Sequence, residues 1–236
     1  MKIGIMQPYF LPYLGYFSLI KNTEEFILLD SVQFIRHGWI ERNRILKPAE
    51  GWQYIHVPLQ RYSRETLIKD TIINNSTEWK KKILAQLEHY KKTAPYYKTV
   101  VTLLSDIFVN EYTSIVDLNC KSLKAVCDYL RIKASIKVFS HMNLTIEKVN
   151  APDEWALNIC KALGDVDEYW NPPGGISLFD KSKYNQNHIN LRFQKINLTE
   201  YSQKRSAFES GLSIVDVMMF NSPEEISVML NQYELI

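Results

Sequence analysis

The side chains able to do chemistry crowd into the segment from Met1 to Ile45, behind two short apolar runs. After Ile3–Met6 come Gln7, Tyr9, Tyr13, Gly15 and Tyr16. After Phe26–Leu29 come Asp30, Gln33, Arg36, His37, Trp39, Arg42, Asn43 and Arg44. Amides and phenols supply hydrogen bonds. Arginine forks grip carboxylate or phosphate in bidentate fashion. Aspartate and histidine are residue types that take a proton from an attacking amine, so Asp30 and His37 are the acid–base candidates.

Such side chains need a frame. The two apolar runs read as buried strands. Pro8 and Pro12 hold off a helix until Tyr13, which opens a helix to Lys21. In open α/β sheets ligands bind beyond the carboxyl ends of the strands. The two clusters therefore point to one shared cleft. Further on, 52–58 and 67–73 read as an antiparallel pair, with Arg61 in the connection as a further cation. Helical periodicity follows over 77–94, 97–108 and 115–130. Ser76 or Thr77 is the expected cap of the first of these helices. Ile136–Phe139 returns to strand character. Pro152 opens a helix that ends at Gly164. Tyr169–Trp170 and Asn190–Phe193 read as strands, and 213–220 and 223–232 as closing helices. Gly174 and Gly175 follow the first of these strands, where paired glycines admit a ligand or shape a turn.

This alternation predicts a single α/β domain over 1–236, Rossmann-like, with a largely parallel sheet. The stretch 77–130 is a helical insertion or cap within it. A 46% hydrophobic share and 12% aromatics over 236 residues describe a globular chain. A net charge of +2 gives no nucleic-acid footprint. The three cysteines imply no disulfide framework, and no histidine has zinc-type spacing, so no metal site is expected. No apolar run approaches the roughly 20 residues that span a bilayer. MKIGIMQPY is no signal peptide, so the cytoplasm is the default location.

The phrases QPYFLPYLGYFSLI, LLDSVQF and GWIERNRI resemble the opening of the WbqC-like family. GDVDEYWNPPGGISLFDKSKY and LSIVDVMMFNSPEEI resemble its later blocks. The resemblance implies a role among bacterial surface-polysaccharide genes. A second resemblance is local. Tyr13-Leu-Gly15-Tyr16 is similar to the His-x-Gly-His turn of the nucleotidylyltransferase superfamily, to which pantothenate synthetases belong. It implies a nucleotide over Gly15 and ATP with Mg as cofactor. Tyrosines stand at both histidine positions, and a phenol lacks the imidazolium charge.

The residue set contains no Ser-His-Asp order, Walker loop or activated thiol. It suits a nucleotide sugar held beside an amino acid or acyl donor, with catalysis by positioning and electrostatics. The expected function is amide-forming acyl or aminoacyl transfer to a nucleotide-linked amino sugar in O-antigen or capsule assembly. A glycosyltransferase and a non-catalytic binding protein are the alternatives.

Overall fold

The structure is a computed structural model that describes residues 1–236. The elements run β1 (Lys2–Met6), α1 (Leu14–Asn22), β2 (Glu25–Leu28), β3 (Arg42–Leu46) and β4 (Trp52–His56). Next come α2 (Trp79–Gln86), α3 (Tyr97–Phe108), α4 (Ile115–Tyr129), β5 (Ile136–Val138) and α5 (Glu154–Leu163). The chain closes with β6 (Glu168–Asn171), α6 (Lys181–Gln186), β7 (Asn190–Ile196), α7 (Ile214–Phe220), α8 (Pro223–Met229) and β8 (Tyr233–Leu235).

Six strands form one sheet in the order β5-β2-β1-β6-β7-β8. All pairings are parallel except β7 with β8. The expected Rossmann-like α/β architecture is therefore present. Counted along the chain, the parallel strands lie 3-2-1-4-5 across the sheet, the doubly wound arrangement. Burial on both faces explains the apolar centres of β1 and β2, whereas β5 and β7, nearer the sheet edges, alternate buried with exposed residues. Ile3, Ile5, Tyr169 and Phe193 meet α5 and α6 on one face. Phe26, Leu28 and Trp170 meet the larger core built on α1, α3, α4, α7 and α8 on the other.

Several expectations need correction. The partner of 52–58 is β3, in register Arg44 with Tyr54, and not 67–73. The 67–73 segment makes a 3-10 turn at Ile68–Asp70 and meets the preceding chain only through isolated bridges, Gln33 with Leu67 and Leu59 with Ile73. Arg42, Asn43 and Arg44 thus sit on a strand and not on a loop. Neither Ser76 nor Thr77 caps α2, whose N-cap Glu78 makes no capping side-chain bond and pairs instead with Lys81. The polar α6 and the short edge strand β8 carry too little apolar periodicity to be read from sequence. At the other extreme, Ser222 and Glu225 form a full capping box before α8, with Pro223 in the first turn.

Candidate functional site

Strand β1 sends the chain to α1 on one face of the sheet, and its neighbour β6 leads toward α6 on the other. The crevice between their carboxyl ends is the switch point where doubly wound sheets take ligands. A cavity of about 1050 Å³ opens there. Small-molecule sites run from roughly 300 to 1,000 Å³, so this one has room for a two-part ligand.

Of the residues expected at the site, Gln7, Tyr9, Tyr13, Gln33, Trp39, Asn43, Arg44, Gly174 and Gly175 line the cavity. They do not all offer free groups. Asn43 is buried, with its amide donating to the carbonyls of Phe10 and Leu11 at 3.0 Å each. It fastens β3 to the loop after β1. The Gln33 amide donates to the Arg64 carbonyl. By contrast, the Gln7 amide and the hydroxyls of Tyr9 and Tyr13 make no hydrogen bond to the chain. Burial pushes both hydroxyls above their ordinary pKa, so they stay protonated as donors.

The remaining expected residues lie outside the lining. Tyr16 is fully buried and donates to the Gln7 carbonyl at 2.8 Å. Gly15 is covered by the Tyr13 ring, which a β-carbon there would meet at 2.5 Å. Asp30 is 1% exposed, and its carboxylate accepts from the Ser140 amide at 3.0 Å and the Ser140 hydroxyl at 2.5 Å. His37 is exposed at φ 62°, in the same turn as exposed Arg36. Arg42 donates to the His37 and Gly38 carbonyls and lies 4.1 Å from the Tyr54 ring. Arg61 lines a separate, smaller depression beside Ser63 and Asp70. The two acid–base candidates are therefore apart from the cavity and from each other.

Arg44 is the single formally charged side chain in the lining. Its guanidinium lies 5.1 Å from the Trp52 ring and 5.4 Å from the Trp39 ring. Diagonal cross-strand contact places it on Trp52, as Arg42 is placed on Tyr54. Nη2 donates to the Gly211 carbonyl at 3.1 Å. Nε is buried without a partner, and no ion pair includes Arg44. A half-buried guanidinium with no carboxylate partner of its own is suited to one carboxylate or phosphate group.

Sequence reasoning missed the opposite wall. Val149, Asn150, Pro152, Trp155 and Ala156 come from the approach to α5 and its first turn. Asn171, Leu178 and Phe179 come from β6 and the loop after it. Applying the strand-end rule to β6 would have found Asn171. Gly175 is glycine for a local reason: a β-carbon would meet the Asn171 amide oxygen at 2.6 Å and the Phe179 ring at 2.7 Å. Leu198 and Gly211, from the long connection after β7, gave no signal.

This lining does not suit Mg-ATP. It presents no carboxylate for the metal. The WbqC-like protein family matches residues 7–228. Among curated proteins, the chain is 30% identical over 223 residues to the "Uncharacterized protein Rv1507c" of Mycobacterium tuberculosis, covering 93% of each chain. No solved structure matches. Neither match carries the nucleotidylyltransferase resemblance.

Proposed function

The chain belongs to the WbqC-like protein family, and from that premise we propose that it transfers an acyl or aminoacyl group to a nucleotide-linked amino sugar during surface-polysaccharide assembly. The observation that carries this reading is the switch-point cavity, where one guanidinium without an ion-pair partner shares the lining with unbonded phenol and amide groups. Arg44 holds the anionic part of a substrate. Tyr9 and Tyr13, protonated through the working pH range, donate toward the oxygen that gains charge when an acyl carbon is attacked. The sugar nitrogen forms the new bond to that carbon. The bond to the donor's leaving group breaks with its electron pair, and the amine proton passes to that group or to water. No carboxylate, imidazole, amine or thiol lines the cavity, which favours a donor activated beforehand over adenylation in place.

The same absence of titrating groups favours a second reading, a protein that binds such a sugar without transforming it. One experiment addresses both. The protein is incubated with a nucleotide-linked amino sugar and either an acyl thioester or ATP with an amino acid, and the sugar is weighed by mass spectrometry. Mass gain on the amino group with the thioester supports transfer. Calorimetric binding of the sugar without product supports the second reading. Absence of both overturns the assignment.

A further inference from the structure

The cavity has two chemically different ends, over opposite faces of the sheet. On the α1 face stand Tyr9, Tyr13 and Arg44, with the carbonyl of Gly211. On the α5 face stand Val149, Pro152, Trp155, Leu178 and Phe179. The second end carries few polar side chains, and two of them already have partners within the chain. The Tyr169 hydroxyl accepts from the Asn171 amide at 2.5 Å, and the Asn150 amide donates to the Lys148 carbonyl at 3.4 Å. A nucleobase edge placed there would leave its donors and acceptors unpaired at substantial cost, whereas an alkyl chain would lose nothing. The apolar path continues to solvent. In the lining, Leu178 is 51% exposed and Ile35 61%, and Ile176, two residues before Leu178, is 47% exposed. Exposed apolar side chains gathered at a cavity mouth mark a binding surface.

We infer that the α5 end accepts the apolar chain, several carbons long, of a ligand with an anionic group held by Arg44. This rests on the cavity being the substrate site. Within the proposed transfer it makes the group handled there a fatty-type acyl chain, not a polar amino acid. Carboxylate and phosphate heads share this chemistry, and the test separates them.

Acetate, butyrate, hexanoate, octanoate and octyl phosphate are titrated calorimetrically into the intact protein below their micelle concentrations. Affinity should rise about fourfold per methylene, the equivalent of roughly 0.8 kcal/mol per buried CH2. Tighter binding of octyl phosphate than of octanoate identifies a phosphate head, and the reverse a carboxylate. Leu178→Ser and Trp155→Ala should flatten the chain-length slope. Leu178→Ser alters an exposed position and leaves folding intact. Arg44→Gln should lower all affinities together, by about tenfold or more, and leave the slope unchanged. A flat series with intact binding of a nucleotide-linked amino sugar overturns the chain inference and leaves the proposed function standing. A slope that survives both apolar variants also overturns it. Failure of every probe and of the sugar overturns both.

Discussion

The ring of Tyr13 occupies the volume into which any side chain at Gly15 would grow, with a β-carbon there only 2.5 Å from the ring. The glycine admits a phenol, in the place that the local resemblance reserved for a nucleotide. Gly15→Ala should therefore displace the ring and lower stability by about 1–3 kcal/mol, as overpacking does. Adding Tyr13→Ala should recover part of the loss. Denaturant unfolding of the two single variants and the double variant measures the coupling. Strict additivity would show that the two residues do not press on each other.

Arg44 should carry most of the anion affinity. Arg44→Ala should weaken binding of a nucleotide-linked amino sugar by about 1.5–3 kcal/mol, the range for hydrogen bonds to charged groups. Arg44→Lys should lose nearly as much, because an ammonium cannot present a planar fork between Trp39 and Trp52. Calorimetry on folded variants decides the matter, and an unchanged Kd removes Arg44 from the site.

Asp30 and His37 should separate from turnover. The two hydrogen bonds from Ser140 fix Asp30 at the start of the turn after β5. Asp30→Asn should cost about 1–3 kcal/mol of stability by unbalancing those bonds while leaving kcat within twofold. His37→Ala, at an exposed turn, should change stability by less than about 1 kcal/mol. A hundredfold fall in kcat for either folded variant would return that residue to the chemistry.

The buried carboxyl of Asp216 gives a pH signature. It accepts from Tyr90 at 2.6 Å, Tyr201 at 2.5 Å and Gln203 at 3.0 Å. Burial outweighs these bonds and raises its pKa above 3.8. The folded chain thus holds this proton more tightly than the unfolded chain. The stability it brings is complete below the unfolded value and is lost as pH rises through the folded one. Asp216→Asn cannot ionise. The unfolding free energy of the parent minus that of the variant should therefore decline as pH rises from below 3.8 to above the raised value. A flat or rising difference would contradict the assignment.

Much of the frame was legible because fully buried parallel strands are short apolar runs closed by polar residues, as β1 and β2 are. β3 escaped because buried Asn43 interrupts its alternation; its amide satisfies two loop carbonyls, a relation no local pattern reveals. The 67–73 stretch misled for the opposite reason. Leu67, Ile68, Ile72 and Ile73 are strand-like in type, yet Ile68 opens a 3-10 turn to Asp70 and the others form only isolated bridges. At the site, the residues after β1 were found by the strand-end rule. Arg36, Arg42 and Arg61 were misplaced because sequence gives charge but not direction. The α5 wall is distant in sequence, and its apolar side chains look like any core.

The Asp216 cluster reaches Arg44 by two routes. Tyr90 accepts from the Leu46 amide at 2.9 Å, on the strand that bears Arg44. Tyr201 and Gln203 tie down the connection whose Gly211 carbonyl receives the guanidinium. The cationic end is thus anchored in the interior, while Leu178 at the far end rests on a surface loop. Stiffness is unevenly divided along the cavity. Substitutions in the loop around Leu178 should therefore cost little in folding. Substitutions around Arg44 should disturb the buried Asp216 cluster as well.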